Sequence, residues 1–269
     1  MTDPSRVVPD PVEGRPMDSR GARSDWVLVL GATSRMAHAT AGEFALRGYR
    51  LLLAGRDEEE LQRCAADLWI RHGRETATGR FDALELEAHP RFLEEVERRT
   101  SGELFGVVSA VGVLGDPARA AADAEYAAEL LRANFVGVAS ALTRLTPLID
   151  RRGGGFIVGI TSVAGDRGRQ SNFVYGSAKG GLALWLQGLR NRLWPEGVRV
   201  ITVKPGFVDT EMTFGLPGLF LVADPARAGA AIVRALDGRR DVVYVPGFWR
   251  YIMWIIRAVP EPIFKRMRL

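Results

Sequence analysis

Cysteine and histidine are scarce in this chain of 269 residues. Cys64 is its only cysteine, and its three histidines, His38, His72 and His89, lie far apart in the sequence. This composition excludes a disulfide framework and a cysteine-rich zinc site, and we expect no metal site. A chain of this length buries a sizeable core without such crosslinks. A reducing, cytoplasmic compartment fits these features best.

Net charge is missing from the body of the chain. The 36 basic and 32 acidic residues give a net charge of +4, and residues 245–269 alone carry five basic side chains against one acidic side chain. The remainder is therefore neutral, and no basic stripe with interleaved aromatic residues runs through it. Nucleic acid is for this reason not expected as a partner. The N-terminal residues also lack the basic start and apolar stretch of a secretory signal, so export by that route is not expected.

The organisation of the chain indicates one large domain. Residues 1–24 hold four prolines among mixed charges and no apolar run, so we predict a disordered tail there. From Trp26 onward, short apolar runs alternate with longer amphipathic stretches, as in βαβ units around a parallel sheet. The predicted strands span residues 26–30, 50–54, 76–82, 104–111, 155–161, 198–203 and 242–245. We therefore predict an α/β, doubly wound Rossmann-type domain over residues 25–246, with a mostly parallel seven-stranded sheet.

The turn after the first predicted strand reads Gly31-Ala32-Thr33-Ser34 and leads into a helical pattern. A dinucleotide-binding fold places a phosphate at this point, against the helix N-terminus. With a single glycine, the segment is equally an ordinary turn capped by Thr33 or Ser34.

The second predicted strand ends in Gly55-Arg56. A guanidinium at this place favours the 2′-phosphate of NADP over the free hydroxyl of NAD. The alternative for Arg56 is a solvated charge at the start of the next helix.

The strongest chemical signal is the pair Tyr175 and Lys179. Four residues apart on a predicted helix, the two side chains lie on the same face. A nearby ammonium lowers the pKa of a phenol, so that the phenol donates and recovers a proton near neutral pH. Ser162 ends the fifth predicted strand, at the edge where open α/β sheets bind ligands, and places a hydroxyl beside the tyrosine. The alternative for Tyr175 and Lys179 is a pair of side chains on the exposed surface of a helix, without a role in catalysis.

The motifs within residues 27–210, taken in their order along the chain, resemble those of the short-chain dehydrogenase/reductase family. The resemblance implies hydride transfer between a nicotinamide and a carbonyl or alcohol, with NADP(H) as the preferred cofactor and NAD(H) as the alternative. It makes Tyr175 the general acid/base and Lys179 the residue that lowers its pKa and holds the nicotinamide ribose. Ser162 would polarise the substrate oxygen, and Asn134 would order a proton-relay water. The implied cofactor contacts are Gly31, Thr33, Ser34, Arg35, Met36, Arg56, Asp82, Ala83, Ala110, Val111, Gly112, Tyr175, Lys179, Pro205, Gly206, Val208 and Thr210.

Two stretches depart from the family pattern. The second and third turn glycines fall on Arg35 and Ala37, which exchanges close backbone approach to the pyrophosphate for a guanidinium. The usual Asn-Asn-Ala-Gly after the fourth strand reads Ser-Ala-Val-Gly over residues 109–112. Both variants resemble a branch of the family that reduces a lipid-linked 2-keto sugar.

The expected substrate is therefore a small-molecule or lipid-linked carbonyl compound, and the family implies a homodimer or homotetramer. The alternatives are reduction of a soluble ketone, a 3-oxoacyl thioester or a steroid-like alcohol. A third reading is a non-catalytic nucleotide-binding subunit or redox sensor.

Two apolar segments complete the sequence. Residues 210–222 carry apolar side chains where the family places a mobile lid, with core packing as the alternative. Residues 247–269 form a predicted amphipathic, basic extension, because Trp249, Ile252, Met253, Ile256 and Val259 recur at helical spacing. The stretch is too short to span a bilayer. Because its aromatic rings and basic side chains suit the headgroup boundary of an anionic membrane, we predict a peripheral membrane contact. The alternative is a helix packed on a partner subunit or on the enzyme's own core.

Overall fold

A computed structural model describes residues 25–151, 154–214 and 221–267 of the protein. The predicted tail over residues 1–24 and part of the lid segment, residues 215–220, lie outside the described residues. The seven strands are β1 (Trp26–Leu30), β2 (Arg50–Gly55), β3 (Thr76–Arg80), β4 (Leu104–Ser109), β5 (Gly155–Ile160), β6 (Val198–Pro205) and β7 (Val242–Val245). Each predicted strand is present, and its ends differ from the prediction by two residues at most.

The strands form one sheet in the order β3-β2-β1-β4-β5-β6-β7, and all the pairs are parallel. The strand order reverses between β1 and β4. In an open α/β sheet such a switch point opens a ligand crevice outside the carboxyl ends of the strands. The predicted doubly wound α/β fold with a seven-stranded sheet is confirmed.

Helices cover both faces of this sheet. They are α1 (Arg35–Leu46), α2 (Glu58–His72), α3 (His89–Thr100), α4 (Pro117–Ala122), α5 (Ala124–Leu131), α6 (Gly137–Asp150), α7 (Phe173–Leu193), α8 (Pro225–Arg234), α9 (Trp249–Ala258) and α10 (Glu261–Phe264). The hydroxyl of Ser34 accepts a hydrogen bond from the backbone N–H of Ala37 at 3.2 Å, which starts α1 directly after the glycine turn. Within the described part of the chain, no helix is long and apolar enough to cross a bilayer.

Burial of both sheet faces explains why the strands read as continuous apolar runs. Along β1, Val27 and Val29 join a fully buried cluster that includes Phe44 of α1. Leu28 and Leu30 belong to the cluster on the opposite face, with residues of α3, α6 and α7. This alternation follows from the geometry of a strand, in which successive side chains point to opposite faces.

Candidate active site

A cleft of about 660 Å³ lies at the carboxyl edge of the sheet. Loops that follow four different strands form its floor. The first residue of each loop donates a backbone hydrogen bond to the neighbouring strand: Gly31 to Ala54 (2.8 Å), Ala110 to Leu30 (2.9 Å), Thr161 to Val203 (2.8 Å) and Gly206 to Val245 (2.9 Å). These bonds fix the four loops at one level of the sheet, so their side chains converge on the cleft.

The glycine turn brings two of these loops into contact. Gly31 has a φ of +74°, and a Cβ at this position would lie 3.0 Å from the backbone nitrogen of Val111. Glycine is therefore required both by the backbone conformation and by the close approach. Thr33, Ser34 and Met36 line the cleft beside the N-terminus of α1, where the helix dipole and free N–H groups favour an anion.

Arg35 is the one predicted cofactor contact that does not line the cleft. Its guanidinium lies at the rim, 3.1 Å from the Glu211 carboxylate and 3.5 Å from that of Asp209. From the sequence we expected this guanidinium to contact the pyrophosphate. In the structure the two carboxylates hold it at the loop after β6 instead. All three side chains are more than half exposed, so the ion pairs contribute little to stability.

Arg56 shares the end of the cleft beside β2 with two carboxylates, Asp57 and Asp82, and pairs with neither. Arg56 is exposed, lines the cleft and has no hydrogen-bond or ion-pair partner among the described residues. Arg80 ends the neighbouring strand, but its guanidinium binds both carboxylate oxygens of Glu85, at 2.5 and 2.6 Å. Asp82 also lines this end and accepts a hydrogen bond from the backbone N–H of Leu84 at 3.0 Å. Arg56 is thus the guanidinium available to a ligand phosphate here.

The predicted tyrosine, lysine and serine meet at the other end of the cleft. Tyr175 and Lys179 are buried on α7, only 7% and 3% exposed, and Ser162 lies two residues after the end of β5. The turn after Ser162 packs directly on α7, because a Cβ at Gly165 would lie 2.6 Å from the backbone nitrogen of Gly180. This backbone contact places Ser162 beside Tyr175, and the Ser162 hydroxyl lowers the pKa of Tyr175.

Burial shifts both ionisable groups of this cluster. It raises the pKa of Tyr175 to about 12, partly offset by the hydrogen bond with Ser162, and lowers the pKa of Lys179 to about 8. The ammonium donates hydrogen bonds to the carbonyls of Val111 (2.8 Å) and Ile160 (3.3 Å) and lies 5.9 Å from the centre of the Tyr175 ring. Desolvation is the largest effect on the Tyr175 phenol in the protein alone, and the lowering of its pKa by Lys179 that the resemblance implies stays a prediction.

Asn134 lies in a π-helical turn, Arg132–Val136, between α5 and α6 and is fully buried. Its amide oxygen accepts a hydrogen bond from the backbone N–H of Val113 at 2.9 Å. Its amide nitrogen donates to the carbonyls of Val113 (2.8 Å) and Leu130 (2.9 Å). The resemblance gave this side chain a proton-relay water. In the structure the oxygen and the nitrogen of its amide both form hydrogen bonds with backbone groups. These bonds join the loop after β4 to α5.

A buried polar network below the site had no signal in the sequence. The side chain of Asp166 is 2% exposed, forms an ion pair with Lys204 and accepts a hydrogen bond from the Tyr244 hydroxyl at 2.7 Å. The three residues come from the turn after Ser162, from β6 and from β7, far apart in the chain. The network therefore locks the turn that carries Ser162 against the edge of the sheet.

Several residues of the cleft were not predicted as contacts. Glu129 and Leu130 of α5 line it, as do Val113 and Leu114 of the loop after β4. The sulfur of Met212 lies 4.0 Å from the Tyr175 hydroxyl. Met212 belongs to the segment expected to form a lid. The residues of α5 could not be predicted in the same way, because no motif in the sequence relates α5 to the site.

The described part of the lid segment is not packed in the core. Phe214 is 88% exposed, and Leu221 and Val222 are also exposed, so the core-packing alternative is wrong for these side chains. Leu216, Leu219 and Phe220 lie outside the described residues. Backbone hydrogen bonds of 2.9 Å join residues 207 and 209 to residue 223 and close the base of the segment.

The C-terminal extension follows one of the alternatives considered for it. Trp249 and Met253 of α9 are buried and pack with Val163, so this part of the predicted stripe covers the enzyme's own core. The opposite face of α9 leaves Tyr251 and Trp254 63% and 73% exposed, and Ile255 beside them is also exposed.

Known proteins are similar to this chain over most of its length. The sequence profile of the short chain dehydrogenase family matches residues 25–216. An uncharacterized oxidoreductase of Mycobacterium tuberculosis is 36% identical over 251 residues, which cover 93% of this chain and 99% of that protein. An uncharacterized oxidoreductase of Streptomyces coelicolor is 35% identical over 255 residues, covering 94% and 99% of the two chains.

A solved structure shares the fold and has a bound cofactor. The short-chain dehydrogenase from Sphingobium yanoikuyae in complex with NADPH superposes with a TM-score of 0.74 at 25% identity. The match covers 88% of this chain and 97% of that one.

Proposed function

The chain belongs to the short-chain dehydrogenase family, and from this premise we propose that it is an NADP(H)-dependent oxidoreductase that reduces the keto group of a bulky, partly apolar compound. The observation that supports the proposal is the group of Ser162, Tyr175 and Lys179, which lines a cleft of about 660 Å³ at the carboxyl edge of the sheet. Such a group moves a proton to or from a substrate oxygen.

The residues of the cleft fit NADP. Gly31, Thr33 and Ser34 would hold the pyrophosphate at the N-terminus of α1, and Arg56 would bind the 2′-phosphate. The remaining predicted contacts, Met36, Asp82, Ala83, Ala110, Val111, Gly112, Pro205, Gly206, Val208 and Thr210, also line the cleft. When bound, the reduced nicotinamide supplies the hydride. NAD(H) is the alternative, and the unpaired guanidinium of Arg56 favours NADP(H).

The chain itself handles the proton. With its pKa raised to about 12, Tyr175 is a neutral phenol at physiological pH and therefore retains the proton that a ketone needs as it becomes an alcohol. Ser162 donates a hydrogen bond to the substrate oxygen, and Tyr175 transfers its proton to that oxygen as negative charge develops there. The charged form of Lys179 stabilises the phenolate left behind. One hydride and one proton convert the ketone to the alcohol, and solvent returns the proton to Tyr175.

Turnover of a panel of ketones with NADPH and with NADH tests this proposal. Tyr175→Phe should abolish reduction and leave NADPH binding nearly unchanged, because it removes the proton donor alone. Tyr251→Phe is the matched control, since its side chain lies on an exposed face of α9 outside the cleft, and it should keep full activity on soluble ketones. Activity of Tyr175→Phe above a few per cent of wild type would refute the proton-donor role.

The cofactor preference has its own test. Arg56→Asp should raise the KM for NADPH by at least about tenfold and change the KM for NADH little, because a carboxylate repels the 2′-phosphate. Arg192→Asp, an exposed arginine of α7 outside the cleft, controls for the change of net charge. Equal effects of Arg56→Asp on both cofactors would show that Arg56 does not read the phosphate.

For the substrate, the finer proposal is a lipid-linked 2-keto sugar, by resemblance to the reductase subunit of the decaprenylphosphoryl-ribose 2-epimerase. Exposed apolar side chains support it, with Val113 and Met212 lining the cleft and Phe214 and Leu221 in the lid segment. The alternative substrates are a soluble ketone, a 3-oxoacyl thioester or a steroid-like alcohol. A comparison of kcat/KM for a polyprenyl-phosphate keto sugar and for its water-soluble phosphate analogue distinguishes the lipid-linked substrate from the soluble ones. An enzyme for a lipid-linked sugar should have the higher kcat/KM with the polyprenyl compound.

We further propose a peripheral contact with an anionic bilayer through the exposed face of α9, defined by Tyr251, Trp254 and Ile255. Aromatic side chains flanked by Arg250 and Arg257 suit the headgroup boundary. The acidic residue of this region, Glu261, is neutralised by Arg167 at 3.0 Å. Two copies meeting at this face would bring like charges together, so charge favours an anionic lipid over a second copy.

Vesicle co-sedimentation tests the contact. Trp254→Ser should weaken binding to anionic vesicles, whereas Trp194→Ser, an equally exposed tryptophan after α7, should not. High salt should weaken wild-type binding as well. Equal binding of both variants, or none by wild type, would assign the face to another role.

The family also supports a homodimer or homotetramer for this chain. Leu184 of α7 is 70% exposed, and Leu131 and Val136 near α5 are also exposed, which gives apolar surface for such contacts. Light scattering after size exclusion measures the oligomeric state, and a monomer at all concentrations would reject this proposal.

A further inference from the structure

A second cavity, of about 340 Å³, lies between the loop that precedes α7 and the helix α10. Its lining residues are Gly168, Arg169, Gln170, Phe173, Glu261, Phe264, Lys265 and Met267. We call it the C-terminal groove. It shares no lining residue with the active-site cleft, so the reaction described above does not explain it.

The walls of the C-terminal groove are held together by specific bonds. The guanidinium of Arg167 donates to the carbonyls of Ile256 (2.7 Å) and Arg257 (3.1 Å) and lies 3.7 Å above the ring centre of Phe264. The side-chain amide of Gln170 donates to the carbonyl of Met267 at 3.1 Å. These contacts join the loop to the C-terminal segment, so the groove is formed by the protein itself.

The groove contains positive charge without a matching anion. Arg169 is partly buried, and its guanidinium has no hydrogen-bond or ion-pair partner within the described ranges. Burial lowers the pKa of Arg169, and Asp166 is the carboxylate that opposes this effect. Both oxygens of Asp166, however, are taken by Lys204 and Tyr244.

The remaining charges of the groove lead to the same conclusion. Glu261 is paired with Arg167 at 3.0 Å, while Lys265 has no ion-pair partner in the described part of the chain. Two cations, Arg169 and Lys265, therefore face the groove uncompensated. Removing a guanidinium from water without an anion is unfavourable, and an anionic ligand would relieve this penalty.

The other walls are apolar. Phe173, Phe264 and Met267 supply two aromatic rings and a thioether beside the two cations. A ligand that satisfies both parts carries an anion next to a hydrocarbon chain. A phosphate monoester matches the charge, because at neutral pH it carries nearly two negative charges.

We propose that the C-terminal groove binds a phosphate ester that carries an apolar chain, with Arg169 on the phosphate. Its source is either the headgroup of a membrane lipid or a soluble phosphate ester. Because binding here needs no bound cofactor and no ketone, the site can be tested independently of the reductase activity.

Titration calorimetry with hexyl phosphate, hexanol and inorganic phosphate tests the chemistry of the site. Hexyl phosphate should bind wild type more tightly than either of the other two probes. Arg169→Gln should weaken its binding by at least about tenfold, the usual loss for a charge-assisted hydrogen bond. Lys265→Gln should have a smaller effect in the same direction, because Lys265 is exposed. Arg192→Gln is the matched control and should bind as wild type does.

Failure of hexyl phosphate to bind, or equal affinity of wild type and Arg169→Gln, would overturn the proposal. Equal melting temperatures of the variants show that a loss of binding is not a loss of folding. The same variants on vesicles of phosphatidic acid and of phosphatidylcholine then identify the source. Weaker binding of Arg169→Gln to phosphatidic acid supports a lipid headgroup, and unchanged vesicle binding with lost hexyl phosphate binding supports a soluble ester. Turnover of a neutral ketone by Arg169→Gln should stay at the wild-type level, and it reports separately on the reductase.

Discussion

Replacing Lys179 by methionine should stabilise the fold while it removes activity. The ammonium is 3% exposed, and its pKa falls to about 8 from an ordinary value of 10.5 because of burial alone, with no carboxylate opposing the effect. At about 1.4 kcal/mol for each tenfold change, this fall corresponds to about 3 kcal/mol of unfavourable free energy for the charged side chain in the fold. Methionine has a similar shape and carries no charge.

The lost hydrogen bonds offset part of this gain. Without the ammonium, the carbonyls of Val111 and Ile160 each lose a donor, at about 1 kcal/mol apiece. A net stabilisation of about 1 kcal/mol remains, which for a chain of this size raises the Tm by about 2–4 °C.

The pH dependence identifies the cause. Because the pKa of Lys179 is lower in the folded than in the unfolded chain, the unfolded chain binds more protons between pH 8 and 10.5. Wild-type stability therefore rises with pH across this window as far as Lys179 is concerned. The advantage of Lys179→Met should be largest below pH 8 and should shrink towards pH 10.

Calorimetric melting of both proteins at several pH values measures this difference. Lys204→Met is the matched control, since Lys204 is a partly buried lysine that has a carboxylate partner. Removing it leaves Asp166 unpaired and should destabilise the protein by about 3–5 kcal/mol. A Tm for Lys179→Met below that of wild type at pH 7, or a difference that does not change with pH, would refute the reasoning.

Three further outcomes are expected. The kcat for ketone reduction should fall as the pH rises through about 8, because Lys179 loses its charge there, and a flat pH profile would contradict its role. Tyr244→Phe should lower the Tm less than Lys204→Met does, because it removes one hydrogen bond to Asp166 and leaves the ion pair in place; equal losses on melting would contradict this. Amide hydrogen exchange over residues 209–214 should slow when a substrate analogue and NADPH are bound, because a lid would cover exposed Phe214; unchanged exchange would count against a lid.

The fold was predictable because the sheet is buried on both faces. Strands such as β1 then read as short, continuous apolar runs, and the amphipathic stretches between them read as crossover helices. Strand ends were harder to predict. Residues 81 and 82 were included in the third predicted strand, whereas the pairing of β3 with β2 ends before them.

The side chains of the site were predictable where they share one element. Tyr175 and Lys179 lie four residues apart on α7, so helical geometry alone places them together. The pKa of Tyr175 was not predictable in this way, because its value depends on burial by segments distant in sequence, such as the one that carries Met212. The orientation of Arg35 likewise depends on Asp209 and Glu211, which only the tertiary fold brings to the rim.

The buried network at Asp166 explains how Ser162 keeps its place. A carboxylate 2% exposed is unfavourable unless it is both paired and hydrogen-bonded, and Lys204 and Tyr244 meet these two needs. What the network provides is position, because it ties the turn Val163–Asp166 to β6 and β7, while the contact of Gly165 with α7 fixes the turn from the opposite side. Contacts on both sides therefore hold the turn that follows Ser162 beside Tyr175. Loss of Lys204 should therefore lower kcat as well as the Tm, although none of the three network residues takes part in a proton transfer.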